Sequence, residues 1–347
     1  MRLGKPPLVD ESGIVSAVSE SNRSPTSVGV FSIPIPSRPK PNPRPSEPWF
    51  LFAPGSWIGC RDAERGSGAM SIDVSVVIPT FRRPALLREA IESVRAQKGA
   101  EVELVVVDDS PEGSAAAIAG EFPDLVRYLR NPKPTGGFPS VVRNLGWPLA
   151  RGRFVHFLDD DDLVPEGHYA AALAAFEADP RVGVVFGRVE PFGDAPETQM
   201  DRERAFFRNA ARRAAICSRL GPRVGFAAGM IFNQTLLVCG AALIRRGCVQ
   251  RLGGFDPEIR LGEDVDFFGR AMREFGACFL DRPTLHYRIG SPSLMHAPAL
   301  SEHEIQQHRA GAQRMMAKYR DEHGRVEFYA MKGLSRLVLT PCTAISP

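Results

Sequence analysis

The sequence predicts an α/β fold in which a mostly parallel sheet is flanked by helices. From Asp73 onward, short apolar runs typical of buried strands alternate with segments whose apolar residues recur at helical spacing. Strands that alternate with helices favour a parallel sheet joined by right-handed crossovers. Polar residues also follow several of the apolar runs directly, and ligands bind at the carboxyl ends of the strands in such sheets. The sequence therefore predicts a ligand-binding edge on a parallel sheet.

The segment from Asp73 to the middle of the chain contains the clearest alternation. Its first helix begins at Pro84, because the missing N–H of proline costs nothing at a helix start. In chain order the predicted elements are strand Val74–Pro79, the helix from Pro84 with its stripe of Leu86, Leu87, Ala90, Ile91 and Val94, strand Val102–Val107, a weak helix near Ser114–Glu121, strand Leu125–Leu129, a helix with Arg143 and Asn144, and strand Arg153–His156.

In the second half of the chain, the pattern predicts a less regular succession of helices and strands. In chain order its elements are helix Tyr169–Phe176, strand Val182–Val189, a basic helix Arg202–Arg219, strand Leu236–Ile244, a helix opened by Leu261–Arg270, and a helix from Glu302 to about Tyr319. The uncharged stretch Val224–Ile244 is long enough to span a bilayer. The polar residues Asn233, Gln234 and Thr235 at its centre favour a buried loop followed by a core strand instead.

Residues 1–69 differ in composition from the rest of the chain. They are rich in Pro, Ser, Arg and Gly, and no helical or strand period persists in them. Such a segment cannot bury enough apolar surface to fold, so we predict a disordered leader. Met70 stands just before the first strand and is the start that we expect for the folded protein.

Composition and charge exclude several classes of protein. The 347 residues are 44% hydrophobic and 24% charged, which is ordinary for a globular domain. A formal net charge of +3 does not indicate a nucleic-acid-binding protein. The six cysteines include no C-x-x-C pair, and the first residues lack the apolar core of a signal peptide. We therefore expect reduced thiols, a cytoplasmic location and no nucleic-acid partner.

The run Asp159–Asp162 is the most informative feature of the chain, because it directly follows a buried strand that ends near Phe157. Four successive carboxylates repel one another, so a positive group is expected among them. A divalent cation that shares its oxygen ligands with a substrate phosphate meets this requirement. The alternative is a solvated acidic turn that caps the helix following near Pro165.

Three patterns typical of nucleotide-binding enzymes are missing. No G-x-G-x-x-G follows the first strand, no G-x-x-x-x-G-K-[ST] occurs, and there is no Gly-rich start of the sugar nucleotidyltransferase kind. The motifs that do occur are Val77-Ile78-Pro79-Thr80-Phe81, Val107-Asp108-Asp109-Ser110, Gly137 with Arg143-Asn144-Leu145-Gly146, Phe157 to Asp162, Gly253-Gly254-Phe255-Asp256, and Glu263-Asp264 with Arg270. In this order, from about Val74 to Arg288, the set resembles the GT-A-fold, family-2 inverting glycosyltransferases.

The resemblance implies a nucleotide site at the first strand ends. Asp109, with Asp108 beside it, would accept from a ring N–H such as uracil N3, and Pro79 and Thr80 would form the wall beside the base. The alternative for the two acids is a turn or a helix cap. Arg143 would meet a phosphate or a base carbonyl through its forked donors, and its alternative role is a salt bridge.

The acidic run resembles the D-x-D element of the same family, with Asp159 and Asp161 as the matching acids. Asp159 would reach the ribose or a water on the metal, and Asp161 would bind Mg²⁺ or Mn²⁺. The metal would act as a Lewis acid on the leaving nucleoside diphosphate. Asp160 stands where many members have a small residue, which leaves the choice of ligand open, so it is placed among the nucleotide-sugar contacts. Asp162 is assigned instead to capping the next segment.

Glu263-Asp264 resembles the E-D element of the family. Asp264 would be the base that takes the acceptor hydroxyl proton while that oxygen attacks C1 from the face opposite the leaving group. Glu263 would orient Asp264 or contact the acceptor, and Asp266 is the alternative base. A purely structural alternative is that these acids stabilise a helix N-terminus. His286 and His296 are two candidates for a further metal ligand, and neither matches the family pattern cleanly.

Together these implications define the expected protein. Residues 70–320 would form one GT-A domain, with a nucleotide-binding half at 70–165 and an acceptor half at 166–320, and residues 321–347 are left unassigned. The enzyme would move a sugar from a nucleoside diphosphate sugar, with UDP-sugar as the first choice, to a glycan, lipid-linked or small-molecule acceptor, as in polysaccharide biosynthesis. No transmembrane segment is expected, and peripheral association with the inner face of the membrane stays open. The competing hypotheses are a non-catalytic nucleotide-sugar-binding protein and a nucleotidyltransferase on a similar sheet.

A shortened chain that begins at Met70 should fold and turn over like the full chain, because residues 1–69 show no core-forming period. Circular dichroism, thermal unfolding and donor turnover of the two chains are the measurements to compare. Aggregation or lost turnover of the shortened chain would show that the leader belongs to the functional protein.

Overall fold

A seven-stranded sheet lies at the centre of the computed structural model, which describes residues 71–232, 236–290 and 302–339. The strands are β1 (Val74–Thr80), β2 (Val102–Asp108), β3 (Val126–Arg130), β4 (Phe154–Phe157), β5 (Val184–Gly193), β6 (Ala242–Arg245) and β7 (Ala277–Ile289). Their order in the sheet is β3-β2-β1-β4-β6-β5-β7, and β6 alone runs antiparallel to its neighbours in it. The predicted leader, residues 1–69, lies outside the described residues, as do Met70 and His296.

Helices flank this sheet, which confirms the predicted fold class. They are α1 (Pro84–Arg95), α2 (Ala116–Gly120), α3 (Pro139–Gly146), α4 (His168–Ala178), α5 (Glu197–Ser218), α6 (Val224–Phe232), α7 (Arg246–Leu252), α8 (Glu263–Phe275) and α9 (Glu302–Leu339). Both α1 and α3 begin with proline, whose fixed φ and missing N–H suit a first helical position. Four residues of the predicted stripe of α1, Leu87, Ala90, Ile91 and Val94, are fully buried, and the fifth, Leu86, is only partly buried.

The register of the sheet brings three strand ends together. In the parallel pair of β1 and β2, Thr80 lies opposite Asp108, and β4 pairs with β1 so that Phe157 lies opposite Val77. The peptide N–H of Leu158 continues this pairing by donating to the carbonyl of Val77 at 3.1 Å. The acidic run therefore leaves β4 at the edge where β1 and β2 also end.

An aromatic cluster joins the start of α8 to this part of the sheet. Phe255 stacks on Phe267 of α8 with ring centroids 4.2 Å apart, and Phe157 of β4 meets Phe255 edge-on at 4.9 Å. All three rings are buried. Aromatic pairs of this geometry contribute about 0.5–1.5 kcal/mol each beyond their buried area. The cluster fixes α8, which comes late in the chain, against the strand that precedes the acidic run.

The prediction for residues 224–244 was wrong in its first part. Residues 224–232 form helix α6 rather than a buried loop, residues 233–235 lie outside the described residues, and β6 begins only at Ala242. Because α6 is apolar and buried on nearly every side, its sequence shows no helical period. Gly225 permits a close approach to α5, since a Cβ there would lie 2.1 Å from the carbonyl oxygen of Cys217. Within the three described ranges, no helix is long and apolar enough to cross a membrane.

Two elements of the second half differ from the sequence prediction: strand β7 was missed, and helix α9 is longer than predicted. Strand β7 was not predicted, because Pro283 in its interior argues against a strand. Helix α9 runs beyond Tyr319 to Leu339 and bends at Gly324, whose φ of 81° is left-handed. A second core cluster joins α9 to α6 and α8, and its buried members are Ala227, Ala228, Ile231, Ile259, Met315, Tyr319, Phe328 and Met331. Part of the segment that was left unassigned thus packs on the domain.

Gly146→Ala should destabilise the protein by about 1–3 kcal/mol, the usual cost of overpacking a core. A Cβ at Gly146 would lie 2.5 Å from Cγ1 of Val77 and 2.9 Å from Cγ2 of Val107, so α3 would have to move away from the sheet. The free energy of unfolding in urea measures this. The matched control is Gly333→Ala in α9, where no atom lies within 4 Å of the added methyl; it should be neutral or stabilising by up to about 1 kcal/mol. Equal stabilities of the two variants would contradict the close packing of α3.

Candidate functional site

A cavity of about 830 Å³ opens at the edge where β1, β2 and β4 end. Parts of its wall come from the loop before α3, from α3 itself, and from the start of α8. The predicted site residues that line it are Pro79, Thr80, Asp109, Arg143, Asp159, Asp160, Asp161, Glu263 and Asp264. Asp108 is the one predicted site residue that does not line it. The fold thus gathers residues from distant parts of the sequence around one space.

The guanidinium of Arg143 bridges two walls of the cavity. It is 3% exposed, and its Nη1 donates to Oε1 of Glu263 at 2.7 Å while Nη2 donates to Oδ1 of Asp159 at 2.6 Å. The ring of Phe255 lies 5.4 Å from the guanidinium carbon. The Nε of Arg143 is buried and has no hydrogen-bond acceptor among the described residues. The salt bridge considered as its alternative role is therefore present, and the Nε–H of Arg143 remains as a donor without an acceptor in the described part of the chain.

The acidic run is partly neutralised by an arginine from the β1–α1 loop. Nη1 of Arg83 donates to Oδ2 of Asp161 at 2.9 Å and to Oδ1 of Asp160 at 3.3 Å. The hydroxyl of Thr80 donates to Oδ2 of Asp160 at 2.7 Å. Asp159, which projects from the same run toward Arg143, is the most exposed of these carboxylates, at 36%. All three of these carboxylate residues line the cavity.

Asp162 faces away from the cavity and holds β7 in place. Its carboxylate is buried, and Oδ1 accepts the peptide N–H of Arg288 at 2.9 Å. The Nε of Arg288 in turn donates to the carbonyl oxygen of Asp161 at 2.7 Å. The last residue of the acidic run is thus a brace between two strands, rather than the cap of the next helix.

Burial and mutual repulsion raise the pKa values of the acidic run. Burial, with the neighbouring charge of Asp161, raises the pKa of Asp160 to about 7. Burial, with the charge of Asp159, raises the pKa of Asp161, and burial raises that of Asp162 well above its usual range. A group of carboxylates that resists losing its protons is short of positive charge. The site therefore favours an added cation.

The two acids that follow β2 have different surroundings. Asp108 is fully buried, and its carboxylate accepts from the peptide N–H of Ser110 at 2.9 Å, the peptide N–H of Ala115 at 2.8 Å and the hydroxyl of Tyr128 at 3.0 Å. Because these partners belong to the turn after β2 and to β3, Asp108 stabilises the turn. Asp108 is therefore not kept among the residues proposed to contact the nucleotide. Its surroundings fit the alternative role given above, that of a residue that stabilises a turn. Asp109 lines the cavity.

Asp109 organises the loop that leads into α3. Its carboxylate accepts from Nδ2 of Asn131 at 2.6 Å, from Oγ1 of Thr135 at 2.8 Å and from the peptide N–H of Gly137 at 2.6 Å. The peptide N–H of Thr135 also donates to it at 3.0 Å. Gly136 and Gly137 have φ of 76° and 84°, a left-handed conformation that a side chain would oppose, and this turn points the N–H of Gly137 at the carboxylate. One buried acid thus shapes this wall of the cavity.

The acids at the start of α8 divide into one pair that faces the cavity and one acid that does not. Asp264 lines the cavity, and its Oδ1 accepts the peptide N–H of Val265 at 2.8 Å. Burial, with the negative charge of Glu263, raises the pKa of Asp264 to about 7. Asp266 is 2% exposed and pairs with Arg270 at 2.7 Å, so it lies away from the cavity. The structure therefore does not support Asp266 as an alternative base.

No cluster of three or more His, Cys, Asp or Glu side chains in the described part of the chain could hold a metal ion by itself. His286 has its Nδ1 3.8 Å from Glu190 and does not line the cavity, and His296 is outside the described residues. His308 of α9 lines the cavity, although no sequence signal pointed to it. Magnesium, however, is usually held by one or two carboxylates together with substrate phosphates and waters. Asp159 and Asp161 fit that kind of site.

Two arginines at the site were missed by the sequence analysis. Arg83 lies just after β1, so the rule that ligands bind at strand ends could have pointed to it. Arg288 contacts the acidic run from β7, and no sequence signal could have found it because β7 itself was not predicted. Both supply positive charge where the sequence showed only carboxylates.

The match to a known family follows the elements that build this cavity. A model of the family described as Glycosyl transferase family 2 matches residues 75–236, which include β1, β2, β4 and the acidic run. These residues are therefore similar to glycosyl transferase family 2. This confirms the resemblance seen in the motifs, and the mixed sheet with flanking helices is the GT-A type of fold expected for it.

Individual relatives match only parts of their own length. An uncharacterized protein of Mycobacterium tuberculosis is 32% identical over 212 residues, which are 60% of this chain and 64% of that protein. The pre-mycofactocin glycosyltransferase of the same organism is 30% identical over 220 residues, 61% of this chain and 41% of that enzyme. Staphylococcus aureus TarS 1–349 in complex with UDP-GlcNAc covers 77% of this chain and 82% of its own, at 15% identity and a TM-score of 0.49. The chain thus spans less than two thirds of the length of the two Mycobacterium tuberculosis relatives.

The free energy of unfolding should fall less with rising pH in Asp161→Asn than in the unaltered protein, because deprotonation of Asp160 then costs less. The folded-state pKa of Asp160 is about 7 and its ordinary value is 3.8, so between these pH values the folded protein keeps a proton that the unfolded chain releases. The free energy of unfolding therefore falls as the pH rises through this window. Without the charge of Asp161, the pKa of Asp160 drops and the fall becomes smaller. Urea unfolding of both proteins at about pH 4 and pH 8 measures the difference.

The control for this prediction is Asp321→Asn, an acid whose side chain is 74% exposed. It should shift the free energy of unfolding by the same small amount at both pH values. A pH dependence that is identical in Asp161→Asn and the unaltered protein would show that the carboxylates of the acidic run do not repel one another.

Proposed function

We propose that this chain is an inverting glycosyltransferase. It moves a sugar from a nucleoside diphosphate sugar, with a UDP-sugar as the first candidate, to a hydroxyl of a glycan, lipid-linked or small-molecule acceptor. The observation that carries the proposal is the arrangement of one cavity between two sets of acids. The carboxylates of Asp159–Asp161 lie on one side, and Asp264, with a pKa of about 7, lies on another. The first set suits a diphosphate with its metal, and the second suits proton abstraction.

The nucleotide base is proposed to bind against the wall of Pro79, Thr80 and Asp109. Asp109 already accepts four hydrogen bonds from residues 131–137, which fills the capacity of a carboxylate. A ring N–H would therefore have to take the place of one of these donors. The main contribution of Asp109 is then to hold the loop that the base meets, and a direct hydrogen bond to the base requires that loop to adjust.

The diphosphate is proposed to bind between Arg143 and the acidic run. The buried Nε of Arg143 has no acceptor among the described residues, which supports a role as donor to a ligand oxygen. Asp159 and Asp161 would hold Mg²⁺ or Mn²⁺, which when bound would stabilise the negative charge that develops on the leaving nucleoside diphosphate. Arg83 neutralises one of these two carboxylates, that of Asp161, so it is suited to release it in part to an incoming cation.

Asp264 is proposed as the general base. A base works best when its pKa lies near the working pH, and burial beside Glu263 places the pKa of Asp264 there. Asp264 would accept the proton of the acceptor hydroxyl as that oxygen forms a bond to the anomeric carbon. The bond from that carbon to the diphosphate oxygen breaks on the opposite face, and its electrons leave with the nucleoside diphosphate. Glu263, paired with Arg143, would keep the start of α8 in position.

The names of two relatives support a transferase reaction. One is the pre-mycofactocin glycosyltransferase, and another, 35% identical over 97 residues, is the Campylobacter jejuni enzyme named GalNAc(5)-diNAcBac-PP-undecaprenol beta-1,3-glucosyltransferase. Because this chain matches 41% and 31% of these proteins, its own donor and acceptor remain part of the proposal. A non-catalytic nucleotide-sugar-binding protein would share the cavity but would not need a base with a pKa near 7.

Nucleoside diphosphates should stabilise the protein against thermal unfolding, and more strongly when Mn²⁺ is present. A ligand at 100 times its Kd adds about 2.7 kcal/mol. We expect UDP to give the largest shift among UDP, GDP and dTDP, and Asp161→Asn to remove the Mn²⁺-dependent part. If no nucleoside diphosphate shifts the melting temperature with or without metal, the cavity is not a donor site. Release of pyrophosphate from a donor would favour a nucleotidyltransferase.

Asp264→Asn should lower kcat by at least about 10²-fold while binding UDP and Mn²⁺ normally, because general-base assistance belongs to the transition state. The measurement is release of nucleoside diphosphate in the presence of donor and acceptor, together with a nucleotide titration. In the unaltered enzyme kcat/KM should rise with pH through about 7, as the carboxylate loses its proton. This rise should vanish in the residual activity of the variant.

Two controls accompany this prediction. Asp321→Asn, on an exposed part of α9, should leave kcat unchanged. Asp266→Asn should act mainly on stability, because it removes the carboxylate that pairs with the largely buried guanidinium of Arg270, a loss of about 3–5 kcal/mol. Full activity of folded Asp264→Asn would place the base elsewhere.

A further inference from the structure

A second cavity, of about 480 Å³, lies beside the first, between α5 and the strands β5 and β7. We call it the α5 groove. Phe207 of α5 is buried and lines both cavities, so the two cavities share part of one wall. Phe206, next to it, faces the first cavity. A molecule that reached from one cavity into the other would pass along α5.

The α5 groove is lined by more positive than negative charge. Its arginines are Arg188, Arg204, Arg208 and Arg212, and its acids are Glu190 and Asp281. Arg188 lies 3.6 Å from Asp281, and Arg204 pairs with Glu197 and Asp201 outside the groove. Arg208 and Arg212 make no ion pair or side-chain hydrogen bond with the described residues. These two guanidinium groups supply the excess positive charge.

The spacing of the arginines places the excess positive charge in a row along α5. Arg204, Arg208 and Arg212 are four residues apart, so they share one face of α5. At 1.5 Å of rise per residue they form a row of about 12 Å. Apolar residues line the groove beneath this row, among them Val189, Pro191, Phe207, Ala211 and Phe279. A guanidinium presents planar, paired donors that match phosphate oxygens better than a point charge does.

We propose that the α5 groove binds phosphoryl groups of the acceptor and holds the acceptor hydroxyl toward Asp264. This inference rests on the proposed glycosyltransferase function, and it narrows the acceptor to a phosphate-bearing molecule. The groove is separate from the donor diphosphate site, which is built on the acidic run and Arg143. The phosphate can belong to a lipid-linked acceptor in a membrane or to a phosphorylated glycan in solution.

The first experiment measures binding of tripolyphosphate to the full chain by isothermal titration calorimetry. EDTA removes divalent cations, and saturating UDP is added so that the donor cavity does not contribute. The variant is Arg208→Gln with Arg212→Gln. The charge-matched control is Arg219→Gln with Arg325→Gln, two exposed arginines that do not line either cavity. UDP binding with Mn²⁺ is measured separately for every protein.

We expect the Arg208/Arg212 variant to bind tripolyphosphate at least about tenfold more weakly, because hydrogen bonds to charged groups are the strong ones. The control should bind it as the unaltered protein does, and all three should bind UDP equally. Equal tripolyphosphate affinity in variant and control overturns the proposal, whether the affinity is kept or lost in both. Tripolyphosphate binding that UDP abolishes also overturns it. Failure to bind UDP in every protein would instead refute the proposed donor site.

A second arm distinguishes the two sources of phosphate. Sedimentation with phosphatidylglycerol vesicles is compared with sedimentation with phosphatidylcholine vesicles at about 0.15 M salt. Binding to the anionic vesicles that the Arg208/Arg212 variant loses, and the control keeps, assigns the groove to phosphate at a membrane. Loss of tripolyphosphate affinity in the variant without any vesicle binding assigns it to a phosphorylated acceptor in solution.

Discussion

The buried ion pairs of Arg143 are the interaction on which the site depends. The effective cost of taking an ion out of water is several kcal/mol, so a guanidinium that is 3% exposed requires partners on both sides. It finds them in Asp159 after β4 and Glu263 at the start of α8. Because all three groups must stay together, α3, the acidic run and α8 cannot shift independently. The proposed base, which follows Glu263 directly, is thereby held at a fixed place relative to the proposed metal ligands.

The same requirement, that buried charges have oppositely charged partners, explains the arginines that surround the acidic run. Arg83 approaches it from the β1–α1 loop, Arg288 from β7 and Arg143 from α3. Even so, the pKa values of Asp160 and Asp161 stay above their usual range, since burial opposes ionisation and the carboxylates repel each other. A protein that only needed a stable turn here would gain by replacing one of these acids with a neutral residue. Retaining them costs stability, and such a cost is typical of a site built for a ligand.

Much of this arrangement could be predicted from the sequence, because it follows from short-range rules. Apolar runs that alternate with helices predict the parallel sheet, and the sheet brings its strand ends to one edge whatever the details of packing. The rules fail where the outcome depends on side-chain direction or on distant contacts. Asp108 and Asp109 are adjacent and chemically equal, but successive side chains of a strand point in opposite directions. Asp108 therefore points into the turn after β2, and Asp109 points toward the loop that lines the cavity. Asp266 lies two residues from Asp264, and the 100° step of a helix directs it to Arg270 instead.

Helix α5 gives the two cavities a common wall, and this wall is anchored to the acidic run. Phe207 meets Tyr287 of β7 with ring centroids 5.4 Å apart, and the next residue, Arg288, contacts both Asp161 and Asp162. Packed aromatic contacts and buried hydrogen bonds resist displacement, so the distance from the α5 groove to the acidic run is set by the fold rather than by a flexible loop. In an acceptor held by Arg208 and Arg212, the distance between the bound phosphate and the reactive hydroxyl would therefore have to match the distance from the groove to Asp264. The enzyme would then select acceptors by this distance, because a phosphate placed too near to the reactive hydroxyl, or too far from it, could not occupy the groove while that hydroxyl contacts Asp264.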